Sequence, residues 1–145
     1  MIDPTRDIRV AYGQLLNGNI TLQGRIIPVV DRVPEKEPHE YIRISEQSMD
    51  PDPSLTGCHV YETTILFDIV TSFSGKSQGG KHESDLIADQ LVQLCFPESG
   101  ALPDLGERFQ MVESKITMNV TTESQGASRF YVRRLIRLEN LVEQL

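Results

Sequence analysis

A chain of 145 residues with 39% hydrophobic and 24% charged side chains has the composition of a globular protein, and it is long enough to bury a core without metal or disulfide staples. Its net charge of −7 argues against a protein that coats nucleic acid, because phosphate affinity comes from clustered Lys and Arg. The longest apolar run, Ile65-Leu66-Phe67, is far short of a membrane span and the opening MIDPTRDIRV lacks a signal-peptide pattern, so the cytoplasm is the expected compartment and no membrane partner is expected.

Asp3-Pro4 starts a helix, an N-cap acid followed by a proline at the first helical position. Ile8, Tyr12, Leu15 and Leu16 then recur with helical spacing, which predicts a helix over residues 4–17 with one buried stripe, closed by Asn17-Gly18. The segment TLQGRIIPVV, residues 21–30, contains Pro28, which cannot donate a ladder hydrogen bond, so it reads as an edge strand or an irregular extension. Residues 41–47 alternate like a strand, and the prolines of SMDPDPSLTG make the following stretch an extended surface loop.

Residues 58–73 carry the strongest strand pattern: Tyr61, Ile65, Phe67, Ile69 and Phe73 share one face, while Glu62, Thr64, Asp68 and Ser72 dilute the other. From residue 81 to 96 the period becomes helical through Ile87, Leu91, Leu94 and Cys95, with Leu86 beside them and the acids Glu83 and Asp85 near the helix start. PESGALPDLGE, residues 97–107, is rich in turn formers. Two strands follow, one with Ile116, Met118 and Val120 in alternation and one with Phe130, Val132, Ile136 and Leu138 on a common face interrupted by Arg134. The intervening TTESQGAS reads as a long hairpin connection. These elements predict one α+β domain over residues 1–145, a mostly antiparallel sheet with two helices packed on one face.

The sixteen residues from 58 to 73 span roughly 50 Å at about 3.3 Å each, more than the roughly 40 Å diameter of a domain this size. Either the long strands extend as a hairpin arm whose exposed edges another subunit covers, or a bulge curls the strand. Segments 58–73 and 107–123 are expected to be the neighbouring long strands.

The loop SFSGKSQGGKHESDL tests poorly as a phosphate cradle. With Gly75-Lys76 as the key pair the first glycine position holds Val70; with Gly80-Lys81 the spacing fits, but His82 replaces the hydroxyl that should reach Mg²⁺. The three histidines have no metal-ligand spacing, and the Asp50, Asp52, Ser54, Thr56 rhythm of a calcium loop is broken by Pro51, Pro53, Leu55 and Tyr61. Cys58 and Cys95 fall too far apart for a disulfide if the helix folds back along the strand. No local pattern supplies a catalytic constellation, a metal site or a cofactor site, although distant segments can converge on one. Arg129, Arg133 and Arg137 fall on one strand face with Tyr131 and Leu135. That stripe reads as a subunit contact met by acidic partners, for which residues 31–52, with seven acids and three bases, are the counterpart, or as a nucleic-acid contact.

The opening helix, GRIIPVV, YIRISEQ, HVYETTILFDIVTSFSGK and ESDLIADQLVQLCF together resemble the tail terminator, or tail-completion, family of long-tailed bacteriophages. The resemblance covers roughly the first two-thirds of the chain. It implies an α+β virion protein, assembled in the host cytoplasm, that forms a ring, commonly a hexamer, at the head-proximal end of the tail tube. There it ends tube growth and offers the surface to which the filled head attaches. The implied partners are other copies of the chain, the tail tube protein and a head-closure or neck protein, with DNA passing through the lumen without specific binding. The family has no catalytic residues or cofactor to carry over, and Gly75, Lys76, Lys81, Arg129, Arg133 and Arg137 become candidate subunit or tube contacts. A head-closure protein, or a small enzyme or ligand-binding domain, are the alternatives.

Overall fold

The computed structural model describes residues 1–51, 59–74 and 80–145. Helix α1, Thr5–Leu16, is followed by three short strands, β1 (Thr21–Leu22), β2 (Arg25–Ile26) and β3 (Val29–Val30), then by β4 (Glu40–Pro51) and β5 (Val60–Ser74). Helix α2, His82–Cys95, precedes the last two strands, β6 (Phe109–Gln125) and β7 (Arg129–Gln144). β1 and β2 form a two-stranded hairpin, and the other five make one sheet in the order β3-β4-β5-β7-β6, antiparallel except for the β3–β4 pair. Both helices pack on one face of this sheet, the expected α+β arrangement.

α1 starts one residue later than expected, with Pro4 as the N-cap and Thr5 as the first helical residue. Ile8 N–H donates to the Pro4 carbonyl, and the Asp3 carboxylate accepts from Thr5 N–H at 2.8 Å, satisfying a donor that has no partner inside the helix. Ile8, Ala11, Tyr12 and Leu16 are buried, with Leu15 partly so, and on α2 the buried stripe is Ser84, Ile87, Ala88, Leu91 and Cys95. These stripes meet Ile42 and Ile44 of β4, Tyr61, Ile65, Phe67 and Ile69 of β5 and Ile136, Leu138 and Val142 of β7 in one core. Tyr12 packs edge-on against Phe67, ring centroids 5.4 Å apart, and its hydroxyl donates to Asn140 Oδ1 at 3.3 Å.

Four expectations change. First, β5 does not neighbour β6: β7 lies between them, pairing with β5 over fifteen residues without a register shift. A strand this apolar on one face is most stable with partners on both sides, so β5 is central, and β6 is an edge strand opposite the short edge strand β3. Second, β4 runs on to Pro51, because a bulge between Ile44 and Gln47 lets Ser48, Met49, Asp50 and Pro51 pair with Thr64, Thr63, Glu62 and Tyr61. Third, the hairpin connection between β6 and β7 shrinks to residues 126–128, since Thr121 to Gln125 pair with Arg134 to Phe130. Fourth, Ile116 does not share a face with Met118 and Val120. A register shift between Ile116 and Met118 sets Ile116 opposite Leu138, on the helix side, and Met118 and Val120 opposite Arg137 and Leu135, on the far side.

Pro28 stands next to a true edge. Its carbonyl accepts from Ile42 N–H at 2.9 Å, and β3 pairs with β4 through only two residues. The Gln23-Gly24 turn before it has φ of 52° and 78°, the left-handed pair that a two-residue hairpin requires.

Candidate interaction face

The sheet face turned away from the helices is the surface to which the arginine stripe belongs. β7 presents Arg129, Tyr131, Arg133, Leu135 and Arg137 there, and then Glu139, Leu141 and Glu143, so this face of a single strand is basic along one half and acidic along the other. Neighbouring strands repeat the division. Arg43 of β4 lies at the level of Asp68 and Leu135, whereas Asp50, Glu62 and Glu113 lie in one row with Leu141.

Within the basic half the chain meets part of its own charge. The Asp68 side chain is 3% exposed and pairs with the half-exposed Arg133 guanidinium, whose Nε donates to Oδ1 at 3.3 Å while Nη2 donates to Oδ2. That carboxylate raises the Arg133 pKa above its ordinary value, chiefly through the hydrogen bond. Arg129 donates through Nε to Ser72 Oγ at 3.1 Å and through Nη2 to the Ser72 carbonyl at 2.8 Å. Arg137 has no side-chain hydrogen bond or ion pair among the described residues, and it stands directly across from Leu66, which is buried. Val70 is buried opposite Arg133 in the same way, as expected where arginine stems cover apolar surface and keep their heads in water.

Beside Arg133 is a shallow depression of about 250 Å³ lined by Glu37, Tyr41, Val70, Ser124, Tyr131 and Arg133. The Tyr41 hydroxyl donates to Glu37 at 2.9 Å, and burial, with the Glu37 contact second, pushes its pKa up to about 12. Among the described residues of the predicted 31–52 counterpart, Glu37 shares this depression with Arg133, and Glu40 instead pairs with Arg25 at 3.2 Å. The main partner, Asp68, comes from the polar side of β5, and only the β5–β7 pairing, which places its neighbour Val70 opposite Arg133, brings the two together.

The other candidate residues are separate from this cluster. Gly75 and Lys76 lie outside the described residues. Lys81 stands just before α2 and pairs with Glu123 near the β6–β7 turn at 3.2 Å, an exposed contact. On the helix side, Arg134 Nη1 donates to Asp85 at 2.7 Å and its Nε to Asn119 at 2.6 Å, tying α2 to the last two strands. That residue, read in the sequence as an interruption of an apolar face, is a clasp. Cys95 is a buried thiol whose pKa is pushed up to about 12 by desolvation; Cys58 lies outside the described residues. Among the described residues no group of three or more His, Cys, Asp or Glu is placed to hold a metal ion, and no helix is long and apolar enough to cross a membrane.

No family model matches the sequence, and no curated protein matches it. The fold does have a solved counterpart: a chain in the virion of a native gene transfer agent particle superposes with a TM-score of 0.55 over 95% of this chain and 90% of that one, at 12% sequence identity.

Proposed function

We propose that the chain is a structural protein of a phage-like virion, and within that class a tail terminator: a hexameric ring on the head-proximal end of the tail tube that stops tube growth and receives the head. The observation that carries the reading is the fold shared, over nearly its whole length, with a chain of a gene transfer agent virion. The sequence resemblance to the tail terminator family supports the narrower role. On this reading the protein is not an enzyme, its partners are its own copies, the tail tube protein and a neck protein, and DNA traverses the lumen without being gripped. Lys81, the residues of the loop before it and the arginines of β7 serve as contacts between subunits or with the tube.

The test is assembly. Native mass spectrometry of the purified chain should give a hexamer, and electron microscopy after mixing with the phage's tail tube protein should show rings seated on one end of tubes of limited length. A chain that ignores the tube but binds the head-side neck complex would be a head-closure protein instead. A monomer that binds neither would remove the reading.

A further inference from the structure

The outer side of α2 carries charge opposite to that of the arginine half of the far sheet face. Its buried stripe points into the core, leaving Asp85, Leu86 and Asp89 exposed, and the helix from His82 to Cys95 contains no Lys or Arg. The Asp85–Arg134 and Lys81–Glu123 contacts fix where this acidic segment lies along the strands: at the arginine end of β7, on the side of the sheet opposite Arg133 and Arg137. Acid and base therefore stand at the same level on opposite surfaces of a two-layer molecule. A second copy stacked on the first in the same orientation brings the acidic helix of one over the basic half of the other. Reversing it would set the helix over the glutamate half and repel it.

We propose that the arginine half of the far sheet face is the docking surface for the outer side of α2 of a neighbouring copy, repeated head to tail. Two different surfaces on opposite sides of one subunit make a heterologous contact, which closes into a ring when each step also turns the next copy by a fixed angle and runs on as a filament when it does not. The contact also has an apolar component. Leu86 on the helix is 42% exposed, and Val120, in the row of Leu135 on the far face, is 43% exposed. Arg137, with no partner of its own among the described residues, is the arginine left free to meet Asp89, whose carboxylate is engaged among the described residues by Gln93 of its own helix. The inference rests on the ring reading above and names the surfaces that would close such a ring.

The experiment is a charge exchange read by native mass spectrometry, with circular dichroism melting as the control for folding. Arg137→Glu and Asp89→Lys should each reduce the oligomeric fraction at least tenfold while leaving the melting midpoint of the subunit within a few degrees. Arg137→Gln, which keeps the stem over Leu66, should give an intermediate loss. Mixing the two single variants, or combining both changes in one chain, should restore the oligomer. If the wild type is a ring and both single variants assemble as it does, or if both fail and neither mixing nor combination restores assembly, the contact is wrong while the ring reading stands. If Arg137→Glu leaves rings intact but stops them seating on tubes, the occupant is the tube protein and the proposal is overturned in its favour. A monomeric wild type removes the ring reading and the contact together.

Discussion

Asp68 is a carboxylate almost without solvent in the middle of a sheet, and it stays there because Arg133 supplies two donors from the adjacent strand. Removing one member of a fully buried pair costs about 3–5 kcal/mol; with the guanidinium half exposed, Arg133→Ala should cost about 2 kcal/mol. Asp68→Asn should cost less, since it leaves a neutral amide and an arginine that can turn to water. Urea unfolding of both variants checks the order, and an Asp68→Asn loss as large as that of Arg133→Ala would overturn it. Cys95, 1% exposed and held protonated by burial, should resist alkylation at pH 8 in the native protein and react only as fast as the molecule opens. Asp3 titrates in the opposite sense. Its hydrogen bonds to Thr5 lower its pKa in the fold, so its contribution to stability is complete above the ordinary carboxylate range and is lost as pH falls through the lowered value. Asp3→Ala should therefore lower stability slightly near neutrality and progressively less as pH falls, as thermal melts across pH would record. At this scale the sequence is legible where a residue acts on its own segment, as Asp3 does, and silent where its partner is sixty-five positions away, as for Asp68.

The helices and the central strand were readable because their periodicities are unbroken: Ile8, Tyr12 and Leu16 on α1, Ile87, Leu91 and Cys95 on α2, and Tyr61, Ile65, Phe67 and Ile69 on β5 all face the core. What could not be read from alternation lies beside a register shift. A bulge adds one residue to one strand and inverts the facing of everything after it, so a period-two pattern counted through the shift assigns half the strand to the wrong side. β6 has two such shifts, between Met111 and Glu113 and between Ile116 and Met118, and its apolar residues fall on both faces. The shifts also suit its position. An outer strand of seventeen residues offers a long unpaired ladder, and bulges with Glu113, Lys115 and Glu123 make that edge a poor template for indiscriminate pairing. Deleting Thr117, which lies in the second shift, should turn Met118 and Val120 toward the helix side or strain the turn at residues 126–128. A lowered melting midpoint is expected. A variant as stable as the parent would show that the extra residue sets nothing.

Across the whole molecule the charge is negative but unevenly placed, and that placement separates a nucleic-acid role from an assembly role. A DNA-binding face needs cations free to neutralise phosphates, because affinity grows with each phosphate engaged. Here Arg133 is committed to Asp68 and Arg129 to Ser72, Arg134 on the helix side is held by Asp85, and the face of Arg129 and Arg133 carries Glu62, Glu113, Glu139 and Glu143 farther along its strands. A duplex laid along β7 would gain little at one end and be repelled at the other. In a ring around moving DNA such weakness is useful, since tight phosphate contacts would impede passage. The purified protein should therefore show negligible duplex-DNA binding at about 0.15 M salt, where exposed charges more than roughly 8 Å apart are already screened. Arg137→Glu should leave that result unchanged even as it disturbs assembly. Saturable binding at this ionic strength that disappears with Arg137→Glu would make the arginine stripe a DNA contact and reverse the assignment of this face.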